Sequence, residues 1–135
     1  MSKLSVYHSV SGSATEDLFI ELFSETFGAE KAEYLYSQYH FYDIYQNSRY
    51  ADFVLDCGTR RIAIEIDDEA SHNKQLVSSG KFYDDLLKQN SMVYLGWDVY
   101  RWAVRQMQKQ PDTVKDELLL FLGSHPRFQE IEDYL

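Results

Sequence analysis

Asp52, Glu65 and Asp67 are the residues of this chain whose types and spacing could do chemistry. They lie in the stretch 50–67, YADFVLDCGTRRIAIEID, which alternates apolar and polar residues on either side of Cys57-Gly58-Thr59-Arg60. Gly58-Thr59 suits a two-residue type II′ hairpin turn, because glycine takes a positive φ at the first central position. With Cys57 opposite Arg60, Phe53 faces Ile64, Leu55 faces Ile62 and Ala51 faces Ile66, three apolar pairs on one face. On the other face Asp52 falls across from Glu65 and Asp56 across from Arg61, and Asp67 follows Glu65 because strand side chains repeat every second residue. Three carboxylates then share one patch.

Directly opposed strand residues have Cβ atoms roughly 4.5–5.5 Å apart. Two carboxylates at that separation repel, so the pair calls for a cation or a raised pKa. A hard divalent metal is the economical cation, since Mg²⁺ is usually held by one or two carboxylates together with water and substrate phosphate. The same pattern also describes a solvated acidic face on an antiparallel sheet. The residues alone leave both readings open.

The elements that must position this hairpin follow from the rest of the chain. Residues 1–12 are polar and read as an irregular arm. Ser13-Ala-Thr-Glu16 is a capping box, and Phe19, Leu22, Phe23 and Phe27 then recur at helical spacing until Gly28 stops the run. Glu16 is explained by the cap, and as an acid on the first helix it is also placed to approach the hairpin's carboxylates. Residues 29–38 suit a second short helix, and Tyr42-Asp43-Ile44-Tyr45 a first strand. The seven aromatics from Tyr34 to Tyr50 belong to core and sheet surface rather than to a base-stacking platform.

After the hairpin, residues 67–74 read as a loop rich in groups that bind metal, water or phosphate, with His72 and Lys74 among them. A helix is predicted over 79–95, with Tyr83, Leu86, Leu87, Asn90 and Tyr94 on one stripe, Asp84 and Asp85 paired with Lys88, and Gly96 as its stop. Trp97–Trp102 is aromatic and β-branched, a fourth strand, and Pro111 opens a last helix with Val114, Leu118, Phe121 and Leu122 on its apolar face.

At 135 residues and 44% hydrophobic, the chain suits one domain spanning 1–135 with a sizeable core. Its single cysteine excludes an internal disulfide, and no apolar run resembles a signal peptide or a membrane span. A soluble, cytoplasmic protein with no membrane partner is expected. The net charge of −9 argues against nonspecific attraction to nucleic acid, although 71–110 carries a local basic excess that includes Lys74, Lys81, Lys88 and Arg101.

The order of elements, with acids on the second and third strands, resembles the restriction-endonuclease-like PD-(D/E)xK nuclease superfamily. The closest likeness is to small bacterial domains akin to very-short-patch-repair endonucleases. The residues that carry it are Asp52-Phe53, Ile64-Glu65-Ile66-Asp67 with His72, and Asp85, Lys88, Met92, Gly96-Trp97, Val99 and Arg101, across 16–102. The chain departs from that pattern at Asp68, where glycine is usual, at His72, one residue late, and at Lys88, which stands for arginine. Asp67 occupies the place of the superfamily's lysine, so Lys74 or Lys88 would supply that charge.

The resemblance implies an α/β (α+β) fold with an αβββαβ core, a mixed central sheet flanked by helices. It implies hydrolysis of DNA phosphodiester bonds with Mg²⁺ or Mn²⁺. Asp52 and Glu65, with the Ile66 carbonyl and Glu16 as further ligands, would hold the metal. Asp67 would add a ligand or orient water, His72 would move a proton and Lys88 would contact phosphate. Such domains are often modules of larger enzymes, so a helicase or other domain of a longer chain is the expected partner. The competing expectation is a catalytically inactive module of the same fold that docks DNA or protein.

Overall fold

The computed structural model describes residues 13–56, 58, 61–68, 79–126 and 128. The first helix, α1 (Ala14–Phe27), begins where the sequence places it: the Ser13 hydroxyl accepts the Glu16 N–H at 3.1 Å. Its Phe19, Leu22 and Phe23 are buried, and Gly28 ends it at φ 95°. A four-residue helix, α2 (Ala29–Ala32), leads directly into β1 (Leu35–Tyr42). The second helix is thus shorter than the 29–38 expected, and the first strand lies N-terminal to the predicted Tyr42–Tyr45.

Asp43 explains that shift. Its buried carboxylate accepts the N–H groups of Tyr45 (2.8 Å) and Asn47 (3.0 Å) and the Arg49 Nε–H (2.9 Å), so the chain turns where a strand was read. Three further strands follow as β2 (Ser48–Asp56), β3 (Arg61–Asp67) and β4 (Asp98–Ala103). They form one sheet in the order β1-β2-β3-β4, antiparallel throughout the first three and parallel between β3 and β4. The parallel step is made through α3 (Ser79–Tyr94), which turns back at Gly96, φ 87°. The fourth strand therefore lies beside the hairpin as expected, starting one residue later. Two further helices follow, α4 (Val104–Lys109), which the sequence reading omitted, and α5 (Pro111–Phe121).

The β2–β3 register is the predicted one where the ladder forms: Phe53 pairs with Ile64, Leu55 with Ile62 and Asp56 with Arg61. Gly58 has the expected positive φ, 86°, while Cys57, Thr59 and Arg60 lie outside the described residues. Ala51 does not join the face of Phe53 and Leu55, which is a correction. It packs with Val54, Ala63, Phe41 and Met92, whereas Phe53, Leu55, Ile62 and Ile64 belong to the other apolar cluster. The cause is a distortion at Gln38, which takes φ 51° and drops out of the β1–β2 ladder opposite Asp52. A residue in that left-handed conformation twists the strand, so the faces exchange across it.

The sheet is covered on both faces. Phe19, Leu22 and Phe23 of α1, Met107 of α4 and Val114 and Leu118 of α5 pack on one side, and Met92 of α3 packs on the other with half-buried Trp97 and Val99. The protein is thus a mixed α/β domain with a four-stranded mixed sheet flanked by helices. Among the described residues no helix is long and apolar enough to cross a membrane.

Candidate functional site

The β2–β3 ladder stops at Phe53 and Ile64, one residue short of the acids. Beyond that point the strands exchange side-chain bonds instead of backbone ones. The Asp52 N–H donates to Glu65 Oε2 at 2.8 Å, and the Ile66 N–H donates to Asp52 Oδ2 at 2.8 Å. Each carboxylate takes the place of a carbonyl on the opposite strand. Asp52 and Glu65 are therefore neighbours, as the register predicts, and both are locked to the backbone of the strand they face.

Glu65 is almost fully buried, and Lys88 from α3 reaches it at 2.5 Å from Nζ to Oε1. From α1, Glu16 closes the other side. Its Oε1 accepts the Gln38 amide at 2.9 Å, and its Oε2 is buried without a hydrogen-bond partner. The reciprocal half of the capping box is thus not where the Glu16 side chain goes; it points toward the acids. Gln38, which drops out of the β1–β2 ladder, also anchors Glu16, and nothing in the residue type signals this, since glutamine has no preference for positive φ.

Asp67 has a different environment. Arg101 on β4 grips it bidentately, Nε to Oδ2 at 2.8 Å and Nη2 to Oδ1 at 2.6 Å, and also reaches Gln89 (2.5 Å) and Asp85 (3.2 Å) on α3. These bonds tie β3, β4 and α3 together beside the acid pair, and hold the Arg101 pKa above its ordinary value. Asp84 pairs with Arg49 at 2.6 and 2.9 Å, Asp85 with Arg101 and Lys88 with Glu65, so the predicted Asp84/Lys88 and Asp85/Lys88 pairs are replaced by bonds between elements. His72 and Lys74 lie outside the described residues.

The electrostatics follow from this packing. Burial raises the Asp52 pKa above the usual carboxylate value, and the charges of Glu16 and Asp67 add to it against the opposing pull of the Ile66 N–H and Lys88. Burial and the neighbouring Asp52 raise that of Glu65, with Lys88 again opposing. Asp52, Glu65, Glu16, Asp67 and Asp85 gather around Lys88 and Arg101, leaving negative charge in excess.

That excess and the buried Glu16 Oε2 are what a hard divalent cation would answer, and Asp52 and Glu65, with the Ile66 carbonyl, are the residues that would hold it. Among the described residues, however, no three His, Cys, Asp or Glu side chains converge as a preformed metal cage. Lys88 stands against Glu65, and a cation would displace it from Oε1. Comparisons with family models, with curated proteins and with solved structures found no match to this chain.

Proposed function

We propose that this chain is a metal-dependent nuclease domain that hydrolyses DNA phosphodiester bonds, with Mg²⁺ or Mn²⁺ held by Asp52 and Glu65. The observation that carries this reading is the acid pair itself: a buried Glu65 and a half-buried Asp52, both with raised pKa values, fixed by reciprocal backbone bonds where the β2–β3 ladder stops, with Lys88 at one oxygen. The order α-β-β-β-α-β that surrounds it supports the restriction-endonuclease-like core. Two facing carboxylates that share one ammonium are still short of positive charge, which favours a further cationic ligand.

A bound divalent ion would supply an activated water and neutralise charge on the phosphate oxygens. The chain's own residues do the rest. Asp52 and Glu65 are held in orientation by the Ile66 and Asp52 N–H groups. Lys88, which pairs with Glu65 beside the site, would contact the phosphate. Asp67, clamped by Arg101, keeps β3 and β4 in register around the acids and orients water. His72 is assigned the proton transfer, and a helicase or other domain of a longer chain would bring the DNA.

The second reading, an inactive module that docks DNA or protein, is favoured by the Lys88–Glu65 ion pair, which gives Glu65 a counter-ion without a metal. A cleavage assay on plasmid and single-stranded DNA with Mg²⁺, Mn²⁺ and EDTA separates the two. The nuclease reading expects metal-dependent cutting that Asp52→Asn or Glu65→Gln abolishes. Binding that is unchanged in both variants, with no cutting by the parent, establishes the module.

A further inference from the structure

We propose that α3 is the seam of a two-fold symmetric dimer of this chain, in which its outer face packs antiparallel against the same helix of a second copy. The helix is inverted relative to an ordinary surface helix. Its inner side carries Lys88, Gln89 and Asp85 to the acid cluster, and only Ser91 and Met92 are buried. Its outer side is apolar: Tyr83 is 66% exposed, Val93 57% and Tyr94 80%, beside exposed Phe82, Leu86 and Leu95. Tyr83, Leu86, Asn90 and Val93 recur with the three-and-four spacing of a helix-pairing seam.

The size of this face decides that it is an interface. Five large side chains of α3 and Leu95 just beyond it, with Ile44 and Tyr45 from the adjoining turn, leave on the order of 1,000 Å² of mostly apolar surface in water, taking about 150–250 Å² for each fully exposed aromatic. Monomers rarely show apolar patches above about 600 Å², and a standard interface buries about 800 Å² per partner. The face is large enough for a stable dimer.

Its shape points to a second copy. The N-terminal end of α3 projects the rings of Phe82 and Tyr83. The C-terminal end borders a groove of about 870 Å³ lined by Phe41, Tyr42, Ile44, Asn90, Tyr94 and Leu95. These ends are about 16 Å apart at 1.5 Å per residue. A two-fold axis across the middle of α3 lays each projecting end into the other copy's groove, both at once, the self-complementarity that an isologous interface requires. The apolar walls receive the ring of Tyr83, and Asn90 offers a hydrogen-bond partner to its hydroxyl.

Sedimentation equilibrium on the full chain, from micromolar to about 100 µM, tests this without reference to catalysis. The parent is expected at twice the mass of one chain. Leu86→Lys in the seam and Tyr94→Ser in the groove should each weaken the dimer at least about tenfold, with far-UV circular dichroism unchanged because both side chains are exposed. Leu120→Lys, at an exposed position of α5, should leave it intact. A parent that stays monomeric at the highest concentration overturns the proposal and gives the face to a different protein. A dimer that survives both α3 substitutions overturns it equally.

Discussion

Replacing Lys88 with methionine removes the ammonium from Glu65 while keeping most of the side-chain volume. Glu65 is then a buried carboxylate, 4% exposed at its side chain, facing Asp52 with no cation at Oε1. Breaking a fully buried pair in this way costs about 3–5 kcal/mol. Lys88 is 19% exposed, so water recovers part of that, and about 2–3 kcal/mol is expected at pH 7.5. Glu65 has an escape, which is to bind a proton. Its folded pKa, already raised above the ordinary 4.5, rises further in the variant, so between 4.5 and that folded value the native state holds a proton that the unfolded state lacks. Stability then falls as pH rises through this window, by up to about 1.4 kcal/mol per pH unit. Urea unfolding of the parent and Lys88→Met should therefore show a deficit at pH 7.5 that shrinks markedly by pH 5. Adding Glu65→Gln should recover most of the loss, because glutamine still accepts the Asp52 N–H without a charge. A deficit independent of pH, or a double variant whose losses simply add, would refute the electrostatic account of the pair.

Asp52→Asn keeps an acceptor for the Ile66 N–H and removes the repulsion, so the metal-free variant should melt at or above the parent near pH 7.5. That advantage should fade as pH falls and the raised acids protonate, and Mg²⁺ should no longer raise its melting temperature; thermal scans with and without Mg²⁺ check both. For Asp43, burial opposes ionisation but the Asn47 N–H, Arg49 and the Tyr45 N–H win, and its pKa lies below the ordinary 3.8. Its contribution is present above 3.8 and lost as pH falls through the folded value, so Asp43→Asn should flatten the steepest part of the acid-unfolding curve, read by circular dichroism. Gly96→Ala forces a side chain onto φ 87° and should cost about 1–2 kcal/mol in urea unfolding.

Local chemistry explains what could be read before any coordinates. Ser13 caps α1 because a hydroxyl there satisfies an N–H that no carbonyl can reach, and the Gly58 turn together with alternation put Asp52 beside Glu65. The exchange of faces at Ala51 could not be read, since it depends on Gln38 adopting a conformation its type does not favour. The outer stripe of α3 could not be read as outer either. Tyr83, Leu86 and Tyr94 have the spacing of a core face, but Met92, Lys88 and Gln89 take the inner side, where Lys88 pairs with Glu65 and the Gln89 carbonyl accepts from Arg101. Periodicity identifies a stripe without saying which solvent it meets. The basic excess of 71–110 is likewise spent in part inside the fold, with Lys88 and Arg101 bound to carboxylates.

The central claim is that Asp52 and Glu65 hold a divalent cation, and anomalous scattering from crystals soaked in Mn²⁺ locates it directly. The account predicts a manganese peak between the two carboxylates, lost in Glu65→Gln, with the Lys88 ammonium moved off Oε1. Crystals in saturating Mn²⁺ with no peak there, and Lys88 still on Glu65, would contradict it.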